Sequence, residues 1–293
     1  MPHYIFGIFA ALAAILFWGL GDFYIQRSVR KVGVWESLFY IGLIGGIFLF
    51  PFVVQDLGEV FASPVKLLLL VGTGVVSFCA ALFDLEALRK GKIALIEPVL
   101  GLELPFVVFF SVVFHGDRLS LLESIFIGLT FLGILGAVLV PQKSFFKKMI
   151  LEKGAIYGLL GAAIAGLVAF LTGISSQETS PFLAIWFTDV VFTFFCFLYL
   201  WYKGDLQKLP QHFKKNYKII FAESIFDDLA WISFAFTTLY FSISIATTIT
   251  ESYIVFSVLL GIFVNKEKVK YRQMLGIGLT IVSIVFLSTV TAY

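Results

Sequence analysis

Apolar residues in this chain come in long blocks that are hydrophobic on every face, separated by short polar stretches. Runs such as Leu67-Leu68-Leu69-Leu70-Val71 and Val107-Val108-Phe109-Phe110 lack the alternation of a membrane β-strand. They also lack the polar stripe of a helix laid on a soluble core. A bilayer-crossing helix needs about 20 such residues. The pattern predicts ten, over 4–26, 34–54, 65–86, 92–114, 120–140, 154–175, 181–202, 217–240, 243–264 and 271–290. The eighth is the weakest because it carries Glu223, Asp227 and Asp228, each costing about 2.5–3.5 kcal/mol at mid-helix. The first has no Lys or Arg ahead of it and no small-residue cleavage site after a short core. It reads as a retained helix, not a secretory leader.

Basic residues test the count independently. With ten spans, every Lys and Arg except Lys66 and Arg118 falls in, or within two residues of, the loops that follow odd-numbered spans. Lys and Arg are retained on the cytoplasmic side, so those loops face inward and both termini face outward. Removing the eighth span would put Lys266, Lys268, Lys270 and Arg272 on the wrong side. The loops are short, so the chemistry of the protein is expected within the bilayer.

Composition closes off other classes. The chain is 60% apolar and 14% charged, against about 45–50% and about 25% in soluble domains. A net charge of +2 gives no footprint for nucleic acid. Cys79 and Cys196 lie in separate apolar windows and imply no disulfide framework. The expected fold class is an all-α integral membrane protein, multi-pass in a prokaryotic-type cell membrane, as a monomer or a homodimer.

The windows also repeat. At an offset of about 150 residues, Ile127-Gly128-Leu129-Thr130 recurs as Ile277-Gly278-Leu279-Thr280, and Asp117-Arg118-Leu119 as Glu267-Lys268-Val269. Phe6-Gly7 matches Tyr157-Gly158, and Trp35 matches Trp186. The halves are 1–142 and 143–293, of five spans each. Five is odd, so the second half is predicted to sit inverted relative to the first. Inverted repeats characterise secondary transporters, whose substrate site lies near the midplane between the halves.

These residues carry a resemblance. Phe17-Trp18-Gly19, Pro105 followed by Asp117-Arg118-Leu119, Gly128, and then Glu267-Lys268-Val269 with Gly278 resemble the drug/metabolite transporter superfamily in its ten-helix EamA-like form. The likeness spans essentially the whole chain. It implies a metabolite exporter or importer with a central cavity, often driven by proton or counter-substrate exchange. Asp117 stands where the family usually has Glu, and Val255 where it has a second proline, so the ninth helix is expected to bend less than the fourth. Ala14 stands near the place where the small multidrug members carry a glutamate, so their proton site does not transfer.

Acids within the predicted spans are the candidate chemistry: Asp22, Asp84, Glu97, Glu103, Asp189, Glu223, Asp227, Asp228 and Glu251. No Lys, Arg or His lies deep in any window. Intramembrane ionisable residues mark substrate or ion pathways, and a buried carboxyl can exchange a proton or bind a cationic group. Fixed positive charge is scarce, so anionic substrates fit poorly; cationic, zwitterionic or neutral polar metabolites fit better. Glu103 lies two residues before Pro105, where a broken helix would free carbonyls toward a cavity. Glu251 lies among Thr247, Thr248, Thr250 and Ser252 near its pseudo-equivalent. Asp227 shares a face with Glu223 and Trp231, while Asp228 points about 100° away. Asp22 lies one turn beyond Trp18.

The expected substrate- or proton-binding residues are therefore Glu103, Asp227, Glu251, Asp22, Glu97 and Asp189, with Trp18 and Trp231 as cavity walls for a cation–π contact. Asp84 is expected to pair with a cytoplasmic base. Asp117, Arg118, Glu267 and Lys268 read as caps and surface ion pairs. The expected partners are a small-molecule substrate, the lipid bilayer and protons as coupling ion, with no cofactor or metal. The leading expectation is a secondary transporter, or permease, working by alternating access. One alternative is a flippase for a polar-headed lipid. The other is a membrane enzyme acting on a lipid intermediate, for which Asp227-Asp228 lacks the rest of a DDxxD pattern.

Overall fold

A computed structural model describes residues 2–90, 100–138, 155–256, 259 and 271–291. Among these the chain is all helical, with no strand. The helices are α1 (Pro2–Lys31), α2 (Val34–Val53), α3 (Leu57–Ala62), α4 (Pro64–Lys90), α5 (Glu103–Phe110, continued by a π turn, Ser111–His115) and α6 (Leu121–Val138). They continue as α7 (Ala155–Glu178), α8 (Pro181–Lys203), α9 (Leu209–Thr237), α10 (Ile243–Thr250) and α11 (Tyr271–Val290). Six of them (α1, α2, α4, α7, α8 and α11) contain stretches long and apolar enough to cross a membrane. The segments Glu103–His115, Leu121–Ala137 and Ile243–Phe256 are shorter and apolar. Despite its acids, α9 is one continuous helix.

Local chemistry sets the ends. Ser180 caps α8 by accepting a hydrogen bond from the Leu183 amide at 3.2 Å, with Pro181 opening the helix. Ser120 and Glu123 form a reciprocal capping box on α6, at 2.7 and 3.2 Å. In α9 the helix begins eight residues before the predicted window. Pro210 suits its first turn, and the stretch up to Lys218 is too polar to register as a span.

The principal packing pairs are α1 with α9, α4 with α7, α2 with α8 and α6 with α11; α5 lies on α7, and α10 on α1. Exchanging each helix for its repeat mate maps this set onto itself. The pair α1–α9 becomes α7–α4, α5–α7 becomes α10–α1, and the other two pairs map onto themselves. Helices α6 and α11 meet backbone to backbone, with the Gly276 Cα against Gly136 and Ala137, where a Cβ would collide. Small residues allow such approach where lipid supplies no hydrophobic drive. The outer surface is strongly apolar, with Phe6, Phe9, Leu68, Phe114 and Trp201 exposed, as suits contact with acyl chains.

Candidate functional site

Between the halves lies a cavity of about 140 Å³. Its walls carry seven carboxyl groups: Asp22 of α1, Asp84 of α4, Glu103 of α5, Asp189 of α8, Asp227 and Asp228 of α9, and Glu251 at the end of α10. No Lys, Arg or His lines it among the described residues. The predicted Asp22, Glu103, Asp189, Asp227, Glu251, Trp18 and Trp231 therefore all converge on one space. Glu97 lies outside the described residues. The indole of Trp18 meets that of Trp231 edge to face at 5.2 Å and tilts against Tyr253 at 5.7 Å, forming an aromatic wall beside the acids.

Two interrupted helices deliver the glutamates. A turn at Gly101-Leu102 precedes α5, so Glu103 opens a new helix with Pro105 in its first turn. There the missing proline amide is no loss. In the other half α10 ends at Thr250, Glu251-Ser252 form a turn, and helix resumes at Tyr253. The ninth helix is thus interrupted even without a proline. Its hydroxyls do the work. Thr247 bonds to the Ile243 carbonyl at 2.9 Å, Thr248 to Ser244 at 2.7 Å, Thr250 to Ala246 at 2.9 Å, and Ser252 to Ile249 at 2.6 Å. Such back-bonding competes with the backbone ladder and bends helices. Accordingly the amides of Ser252 and Val255 reach carbonyls three residues back, at 3.2 and 2.9 Å. The Glu103 side chain is hydrogen-bonded to that of Glu251.

Two lining acids depart from the sequence expectation. Among the described residues Asp84 does not pair with a cytoplasmic base. Glu86, one turn from Arg89 and Lys90, takes both, at 2.6 and 2.7 Å. The Asp84 Oδ1 is buried against Gly161 with no hydrogen-bond partner among the described residues. Asp228 diverges from Asp227 around α9, yet it also lines the cavity, because the space wraps that helix toward α2. Glu223 shares the Asp227 face but lies outside the lining, fully buried and accepting from Ser28 Oγ at 2.6 Å. No sequence signal singles out Asp84: its place on the helical wheel gives a direction on α4 but not the neighbours it meets.

Away from the basic loops, the helix ends are tied together. Asp117 accepts hydrogen bonds from the Ser244 amide and hydroxyl at 3.3 and 3.0 Å, capping α10 from the loop after α5. Gln177 donates to the Thr238 carbonyl at 2.7 Å, and the Tyr4 hydroxyl to that of Ser288. The cap expected of Asp117 is thus present, and it joins the two interrupted helices.

The geometry can be set beside known proteins. A crystal structure described only as that of a protein superposes with a TM-score of 0.70 at 12% identity, covering 99% of this chain and 97% of that one. At that identity the likeness speaks for the fold alone. No curated protein matches the sequence. The model of the EamA-like transporter family matches residues 5–139 and again residues 152–289. A helical membrane fold of two like halves, enclosing one cavity at their junction, agrees with that double match: the chain belongs to the EamA-like transporter family, whose members are multi-pass membrane transporters of the drug/metabolite type.

Proposed function

We propose that this chain is a secondary transporter that moves a small cationic, zwitterionic or neutral polar metabolite across the cell membrane by alternating access, with protons as coupling ion. In this reading ten spans form two inverted five-helix repeats, 1–142 and 143–293, with both termini outside. The observation that carries it is the cavity wall, with seven carboxyl groups and no basic side chain among the described residues. Such a surface attracts positive charge and repels anions. About 140 Å³ is close to an engineered cavity of about 150 Å³ that admits benzene, so the solute, or the part of it that enters, is small. Glu103, Asp227, Glu251 and Asp22 face this space and serve as binding groups, and Trp18 and Trp231 supply a ring face for a cationic head.

The test is uptake into proteoliposomes under an imposed pH gradient, across a panel of amines, amino acids, sugars and nucleosides. Asp227→Asn and Glu251→Gln are expected to abolish gradient-driven uptake while the purified variants keep the wild-type elution profile. Unchanged uptake in both would remove the acids from the mechanism.

A second reading, flipping of a polar-headed lipid, is favoured by one feature. An apolar groove of about 610 Å³ runs between α2 and α9, walled by Phe39, Leu43, Ile47, Phe213 and Phe221. Its helices are the ones that carry Gly45 and Asp228. Scrambling of a short-chain fluorescent lipid, with no uptake of soluble solutes, would select this reading.

A further inference from the structure

The seven carboxyl groups are not equivalent. Asp22, Asp84, Glu103 and Asp227 are half-buried, Glu251 is 4% exposed, and Asp189 and Asp228 are each 2% exposed. These two come from adjacent helices, α8 and α9, and converge on one point of α2, the bare Cα of Gly45. A Cβ built there would lie 2.5 Å from Asp228 Oδ2, 2.6 Å from its Oδ1 and 2.6 Å from Asp189 Oδ2. Both carboxyl groups therefore pack against the same bare Cα, in space that a methyl group would fill. Asp189 Oδ2 has no hydrogen-bond partner among the described residues. The other ionisable groups in the surrounding wall are Asp227 on α9, Asp22 on α1, Asp84 on α4, Glu103 on α5 and Glu251 after α10, all acids; α2 and α7 contribute none.

We infer that Asp189, Asp228 and Gly45 form a proton-holding site, separate from the carboxyl groups that meet substrate. A solute atom or metal ion needs room that the Gly45 contact denies, whereas a proton shared between two carboxyl groups needs none. Like charges this close cannot both persist in a dry surrounding, so one proton stays on the pair. The coupling role of the site rests on the transport reading above. When a cation binds at the cavity carboxyl groups, the O–H bond of the pair breaks and its proton leaves through cavity water to the bulk solvent, so the net charge of the cavity is unchanged.

The site itself is testable without any substrate, by infrared difference spectra of the reconstituted protein between neutral and alkaline buffer. The wild type is expected to show a carboxylic-acid stretch that Asp189→Asn or Asp228→Asn removes and Asp227→Asn retains. Gly45→Ala, which keeps both carboxyl groups but wedges them apart, is expected to shift that band; it also covers the case in which an Asn variant fails to fold. A spectrum unchanged in Asp189→Asn, Asp228→Asn and Gly45→Ala would overturn the site. Failure of every panel solute to enter liposomes, with the band behaving as expected, would instead overturn the transport reading.

Discussion

Acids at the periphery of this molecule and acids at its centre live by opposite rules. At the edges Glu59 meets Lys66 at 2.5 Å, Glu86 meets Arg89 at 2.6 Å, Asp205 meets Lys208 at 2.6 Å and Glu36 meets His212 at 2.7 Å. At the centre Glu103 bonds to Glu251, Asp189 and Asp228 converge on a glycine, and no basic residue lines the wall among the described residues. The peripheral pairs are mostly solvated and contribute little to stability. The central carboxyl groups are desolvated, which is costly unless protons or a bound cation neutralise them. Charge is thus balanced at the edge by the chain itself, whereas at the centre no basic side chain among the described residues balances it.

The sharpest way to break this contrast is to put a base at the centre. Ser77 lines the cavity and is buried, with its hydroxyl unpartnered among the described residues. Ser77→Lys would give the acids a permanent counter-charge, and uptake of any cationic panel solute is expected to fall at least about tenfold. Undiminished uptake would show that the acidic wall does not select for charge. A smaller effect is expected at Glu223, the central acid held by hydroxyls. Ser28 donates to it at 2.6 Å and in turn accepts from Ser37 at 2.9 Å. Ser28→Ala removes that donor from a buried carboxyl group and is expected to cost about 1–3 kcal/mol, read as a lower melting temperature in detergent.

The smallest effect belongs to the edge. The hydrogen bond from Lys66 holds the Glu59 carboxyl below its usual range. Its folded value is the lowered one, so whatever the pair contributes is present at neutral pH and fades as pH falls through that value. Glu59 is fully exposed, however, so Lys66→Ala is expected to leave both the neutral-pH melting temperature and uptake at wild-type level.

Much of this architecture is readable in the chain because lipid imposes a simple length rule. Helix makes up most of the described part of every predicted window, including α9, which hydropathy alone would have rejected and which the sidedness of Lys and Arg retained. Residue periodicity placed Trp18 with Asp22, and Asp227 with Trp231, on the faces that line the cavity. It could not place Asp84 or Asp228, because a helical wheel gives a direction on one helix and says nothing of which neighbours stand there. Asp84 is decided by Glu86 capturing the nearby bases, and Asp228 by the missing side chain of Gly45. The break at Glu251 escaped for another reason. Proline announces a break by itself, whereas Thr247, Thr248, Thr250 and Ser252 produce one jointly, through hydroxyl bonds that also occur in unbroken helices.

The packing that reads the same when the halves are exchanged has an energetic consequence. If α10 took up the environment of α5 while α5 took that of α10, the same classes of helix contact would be made again. In the proposed transport reading two such arrangements would lie close in free energy, with the gap between them set where repeat mates differ. Pro105 opposite Val255, and Asp117 opposite Glu267, are such differences. They act as weights on a near-balanced beam, and small changes there are expected to shift which arrangement is populated without altering how either one is built.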